Sequence, residues 1–187
     1  MKVDDVGEIK ETLEQTKESS VVKNSSPSDD LKDMEIKIGK KVYAMPVCAS
    51  DLVELGYGID DSWVMNPNTS DVPKDFPGIF YPGPVSDKKG KVFYVAYENS
   101  GNTLRSIANC HIASMTITEE SEKCSIAKGI HIGSGQQEVL EAFGKKKVEN
   151  DTIEYSYKTK KGQGQAKFTL DKGKISQINM ILTEQNQ

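Results

Sequence analysis

Gly129-Ile130-His131-Ile132-Gly133-Ser134-Gly135-Gln136-Gln137-Glu138-Val139-Leu140-Glu141-Ala142-Phe143-Gly144 is the stretch on which the reading of the fold turns. It reads as a short alternating strand, a glycine break, an amphipathic helix and a glycine stop. Ser134, with Gln137 three residues on, matches a capping box at the helix start. Val139, Leu140 and Phe143 then make one apolar stripe, while Glu138 and Glu141 face water. Gly144 supplies the left-handed residue that ends a helix. A looser copy lies upstream. Ile36-Lys37-Ile38-Gly39 leads, through an insert bearing Pro46, into Val47-Cys48-Ala49-Ser50-Asp51-Leu52-Val53-Glu54-Leu55-Gly56. Two copies of one pattern predict an α+β chain of two related halves, 34–118 and 126–187, each a short helix on an antiparallel sheet.

The flanking segments supply the sheet. Ile153, Tyr155 and Tyr157 alternate with polar residues, as do Ala166, Phe168 and Leu170. The turn Asp171-Lys172-Gly173-Lys174 reverses the chain into a strand bearing Ile178, Met180 and Leu182. Such alternation buries one face and wets the other, which suits an antiparallel sheet with helices on one side. In the first half, Lys37 to Ala44 reads as a hairpin or a bent strand. Val92 to Tyr97 is apolar on both faces and predicts a central strand. A long strand from Leu104 to Ile117 changes its buried parity, from Cys110 and Ile112 to Met115 and Ile117. That change predicts a β-bulge near Ala113-Ser114.

Charge divides the chain. Residues 1–33 hold five Lys against nine Asp or Glu, and the rest balances nineteen against nineteen. The N-terminal stretch has no aromatic residue and no Cys, so it cannot bury enough apolar area to offset its ordering entropy. It is expected to be a disordered acidic tether over 1–33, ahead of a domain over 34–187. Arg105 is the only Arg among the 24 Lys and Arg. A neutral body with a single Arg, behind an acidic stretch, points away from nucleic acid as a partner. Lys145-Lys146-Lys147 and Lys158-Thr159-Lys160-Lys161 read as solvated turns.

No run approaches the ~18 apolar residues that cross a bilayer. An acidic, Ser-rich tether before a compact body is what a surface protein keeps once its leader is removed, so the expected location is extracytoplasmic. The membrane then enters only through a removed N-terminal anchor. A native Met1 would instead place the chain in the cytoplasm.

Chemistry-bearing motifs are sparse. Gly133-Ser134-Gly135 lacks the third Gly of a dinucleotide fingerprint and the Lys-Ser/Thr pair of a phosphate loop. His111 and His131 fall between inward residues and should point to the wet face. Cys110 and His111 are adjacent, so in a strand they point to opposite sides. Cys124 with His131 would need further metal ligands that no spacing supplies. Cys48 and Cys110 read as small core hydrophobes, and a Cys110–Cys124 bridge stays open. No catalytic residue, cofactor site or metal site is expected.

Asp60 to Gly90 holds the only Trp and five Pro. A loop that long without helix or strand pattern is often functional. Trp63, Phe76, Phe80 and Tyr81 are therefore the candidate binding residues, against the plainer reading that they pin the loop to the body. A small-ligand carrier or an enzyme with a pocket under this loop is the alternative function.

The string 129–144, followed by Tyr155-Ser156-Tyr157 and the C-terminal hairpin, resembles the repeat of the β-lactamase-inhibitor-protein-like group. Small outer-membrane-assembly lipoproteins share that repeat, and similar segments occur in surface lipoproteins of Gram-positive gut bacteria. The likeness covers 129–182 and, loosely, 36–57. Lys145 stands where the group carries Pro, and the first copy has its insert. What the resemblance implies is a non-enzymatic, lipid-anchored domain that binds or assembles with another protein. It transfers no site residues.

Overall fold

Backbone pairing follows the alternating runs. A computed structural model describes residues 19–22, 25–59, 71, 72, 81–98 and 105–184. Strands β1 (Val21–Val22), β2 (Glu35–Ile38), β3 (Lys41–Ala44) and β4 (Val47–Cys48) precede helix α1 (Ala49–Glu54). Next come β5 (Tyr57–Ile59), β6 (Asp71–Val72), β7 (Tyr81–Asp87), β8 (Val92–Glu98), β9 (Arg105–Ser106) and β10 (His111–Ile117). Strand β11 (Cys124–Ser125), helix α2 (Gln136–Phe143) and strands β12 (Thr152–Lys158), β13 (Gly162–Asp171) and β14 (Lys174–Glu184) complete the order.

The larger sheet runs β12-β13-β14-β10-β8-β7-β5, with β4 also on β10. A smaller sheet runs β1-β3-β2-β11, and β6 pairs with β9. Every pairing is antiparallel. With two short α-helices beside these sheets among the described residues, the class is α+β.

Local chemistry explains most elements. Lys172 and Gly173 both take positive φ, which matches the twist of a two-residue hairpin between β13 and β14. Gly39 at φ +59 turns β2 into β3. The expected bulge is present: pairing of β10 with β8 slips between Ile112 and Ser114. Ile112 and Ala113 are consecutive and both buried. The strand expected over 104–117 is, however, interrupted by a 3-10 turn at Ile107–Asn109. That turn sets Ile107 and Cys110 three apart on one side, so both reach the core. Strand β8 is central, but one-sided: Phe93, Val95 and Tyr97 are buried, whereas Tyr94 is 49 % exposed.

The second copy of the repeated pattern departs from its sequence reading. Ile130-His131-Ile132 forms no strand; it leaves a 3-10 turn (Ala127–Gly129) and enters a turn at Gly133. Helix α2 starts one residue later than Ser134 predicts. Gly135 is its N-cap, and the Gly135 N–H donates to the Glu138 carboxylate. Glu138 therefore supplies the cap expected of Ser134 and Gln137. Gln137 Nε2 donates instead to Glu141 at 2.9 Å.

Residues 19–22 and 25–33 correct the tether expected over 1–33. Val21 and Val22 pair with Tyr43 and Val42 of β3. Ser19 Oγ, Ser20 N–H and Ser20 Oγ donate to the Asp51 carboxylate at 3.0, 2.7 and 2.6 Å. Cys48 N–H donates to Ser20 Oγ at 3.0 Å. Ser28 N–H donates to Glu35 at 2.7 Å, and Leu31 is buried. Composition reports apolar area, whereas this segment is held largely by polar contacts, so its order is not visible there. Residues 1–18, 23 and 24 lie outside the described residues.

One core joins these parts. Ile36, Ile38 and Tyr43 of the small sheet meet Phe93, Met115, Phe168 and Met180 on the inner face of the large one. Helix α2 contributes Val139 and Phe143; the Phe143 ring stacks on Phe168 at 5.9 Å and meets Tyr155 edge-on at 5.8 Å. Gly164 is there because space demands it: a Cβ would lie 2.6 Å from Tyr157 Cε2 and 2.8 Å from Thr159 Cγ2. Gly164→Ala is expected to lower unfolding free energy by ~1–3 kcal/mol through overpacking. Urea titration checks this, and an unchanged midpoint would show that Tyr157 simply swings away.

Candidate functional site

The residues expected to bind are placed only in part. Trp63, Phe76 and Phe80 lie outside the described residues. Tyr81 opens β7, opposite Tyr97 of β8, and its side chain is likewise outside the description.

The glycine loop before α2 has no amide left for an anion. Gly133 N–H donates to Ile175 O at 2.8 Å, Ser134 N–H to His131 O at 3.1 Å and Gln136 N–H to Gly173 O at 2.9 Å. Gly135 N–H is held by Glu138. The loop is a docking point for the β13–β14 hairpin, and its geometry serves packing.

His131 is exposed, in a turn rather than a strand. Its Nδ1 lies 2.9 Å from the Gly129 carbonyl and 3.2 Å from the Ser134 hydroxyl. Lys37, Glu122, Lys123 and Cys124 line a recess of about 530 Å³ with His131. Its parts do not make a nucleophile and base. Burial pushes the Cys124 thiol up to about 12, and the Glu122 carboxylate adds to the rise. Lys37 Nζ is engaged, donating to Ser25 O at 2.8 Å. All three cysteines are buried and none is in a disulfide, which answers the open Cys110–Cys124 question. Among the described residues no cluster of His, Cys, Asp and Glu has the makings of a metal site.

The outer face of the large sheet is a different kind of surface. Register places Pro84, Tyr94, Thr116, Asn179, Lys167 and Glu154 in one row across six strands. The adjacent row runs Ala96, Ser114, Ile181, Gln165 and Ser156. These positions alternate with the buried ones, so their side chains point away from the core. The middle strands β8, β10 and β14 contribute no carboxylate or ammonium to either row. In a chain of 28 % charged residues, that is a depleted patch. Asn179 Nδ2 donates to Thr116 Oγ1 at 2.6 Å across the face, and Tyr94 stands exposed beside them.

No protein-family model matches this chain, and no curated protein or solved structure matches it significantly. Its function has to be argued from the geometry.

Tyr43 yields a prediction of its own. Its hydroxyl is buried and has no hydrogen-bond partner among the described residues. Burial, and then the nearby Asp51 charge, push it up to about 12. Tyr43 and Cys124 thus both ionise later in the folded chain than in the unfolded one, where the usual values are about 10 and 8.5. The folded state holds more protons in that window. The stability linked to these groups is complete below pH ~8.5 and is lost as pH rises toward 12. Urea midpoints should fall between pH 8 and 11. Tyr43→Phe should flatten part of the fall and leave stability at pH 8 equal or about 1 kcal/mol higher, because an unsatisfied hydroxyl is removed. A variant markedly weaker at pH 8 would show that the hydroxyl has a partner.

Proposed function

We propose that this chain is a non-catalytic protein-binding domain, displayed outside the cytoplasm on a lipid anchor, whose partner docks on the outer face of the large sheet. One observation carries the binding surface: the paired rows through Tyr94, Thr116 and Asn179 and through Ala96, Ser114 and Ile181. Charged residues are depleted at the centre of protein interfaces, and Tyr is enriched there. Uncharged Ser, Thr and Asn keep such a face soluble yet desolvate at lower cost than carboxylates or ammonium groups. Tyr94 supplies a rigid aromatic anchor standing on a sheet, which fixes its position better than a loop would.

The extracytoplasmic setting rests on the resemblance of 129–182 to the β-lactamase-inhibitor-protein-like group and its lipoprotein relatives. The same reading takes 34–118 and 126–187 as related halves. Support comes from the two Gly-bounded helices: α1 runs into Gly56 and α2 into Gly144, both at positive φ.

The test is photo-crosslinking on cells displaying the chain. A benzophenone amino acid at Tyr94 is expected to trap one protein species, and the same probe at Lys172, on the hairpin tip, should trap none. Ala96→Arg should abolish the Tyr94 crosslink without changing thermal stability. Equal crosslinking from both positions, or indifference to Ala96→Arg, would remove the sheet face from the reading.

A further inference from the structure

Among the described residues, strand β12 ends the large sheet, paired on one side only, with β13. Its inward bonds fall on the odd residues. Leu170 N–H donates to Asp151 O at 2.7 Å and Thr159 N–H to Gly162 O at 2.8 Å, at the two ends of the same ladder. By antiparallel alternation, the even residues turn their N–H and C=O to the open edge. Thr152 is satisfied by a local bridge to Glu149. Glu154, Ser156 and Lys158 present the remaining edge groups, and all three are exposed.

We propose that this edge pairs with a second copy of the chain, antiparallel and centred on Ser156. In that register Ser156 faces Ser156 of the partner subunit across a two-fold axis. Glu154 of each copy then lies opposite Lys158 of the partner subunit, and the open N–H and C=O groups of all three residues bond across the axis. Opposite charges directly across an antiparallel pair stabilise it, and like charges oppose it. A slip of the two-fold axis to residue 154 or to residue 158 would set Glu against Glu or Lys against Lys. Charge thus selects one register, and it disfavours a strand of arbitrary sequence.

The inner side of the edge has room for the contact. Tyr155 and Tyr157, with Leu31 and Phe143, line a recess of about 530 Å³ that runs along β12. In the same register Tyr157 of the partner subunit stands opposite Tyr155. The charges around the recess balance, Asp29 and Asp30 against Lys32 and Lys128. Lys146 lies over the Tyr155 ring, 5.9 Å from its centre. A two-fold pairing would extend both outer faces into one continuous sheet. This inference does not depend on the partner reading, since it uses the edge and not the face.

Sedimentation equilibrium of the full chain tests it. The expected result is a reversible dimer of twice the 20.6 kDa chain mass, appearing as concentration rises. Ser156→Pro should leave a folded monomer, because an edge N–H turned outward can be replaced by a proline ring. Glu154→Lys should weaken the dimer several-fold, and adding Lys158→Glu should restore it to within about twofold. The charge swap decides the matter alone should Ser156→Pro fail to fold by circular dichroism. A chain that stays monomeric at ~1 mM, including one that accepts a foreign extended peptide on β12 instead, overturns the proposal. So does a dimer indifferent to the charge swap.

Discussion

Strand β10 is the constraint on which the rest depends. It is bonded to β8 on one side and to β14 and β4 on the other, so it joins the first half of the large sheet to the second. The bulge within it decides what each face carries. Ile112 is buried before the slip, Met115 and Ile117 after it. Were the strand regular through Ala113, the side-chain period of two would bring Ser114 and Thr116 into the core and turn Met115 and Ile117 out. The uncharged outer rows and the apolar inner face thus both depend on the slip that leaves Ala113 unpaired in the β8–β10 ladder.

The small sheet closes the core by another route. Its strands are short, and among the described residues β1 offers only Val21 and Val22 to β3. A carboxylate makes up the difference. Asp51, 2 % exposed on α1, accepts from both Ser19 and Ser20, and the Ser20 hydroxyl accepts in turn from the backbone of Cys48. A buried charge taken up by several donors is worth keeping where it is, since removing the donors would strand it in a dry setting. The helix, the β4 entry and the first strand are therefore held by one polar knot.

Much of this build was legible in the sequence. Residues 152–182 announce their strands by clean alternation, and Lys172-Gly173 announces the turn. The parity change between Ile112 and Met115 revealed the bulge because both sides of it are strongly apolar. What failed has physical causes. Ile130-His131-Ile132 alternates over too few residues to distinguish a strand from an extended lead into a turn. Ser134 and Glu138 both satisfy cap chemistry, and only the backbone path chooses between them. The first strand was hidden because its holding energy comes from hydroxyls, which composition counts as polar filler. The outer face was visible only as a parity class; its lack of charge across three strands emerges once register aligns Tyr94, Thr116 and Asn179. The stretch from Asp60 to Gly90 was the sequence's own choice of site; its last part is no loop but strand β7, Tyr81–Asp87, paired with β8, while Trp63, Phe76 and Phe80 lie outside the described residues.

The Ser19–Ser20–Asp51 knot also sets how the molecule would answer mechanical load. Force applied at Ser19 would meet the β1–β3 pairing and that carboxylate first. It reaches the long β13–β14 ladder only through the core. Weakly protected elements open before the global structure does. A pull delivered at Ser19 would therefore peel β1 while the large sheet stayed intact. Under such a pull the knot would yield first, and it could re-form when the load relaxes.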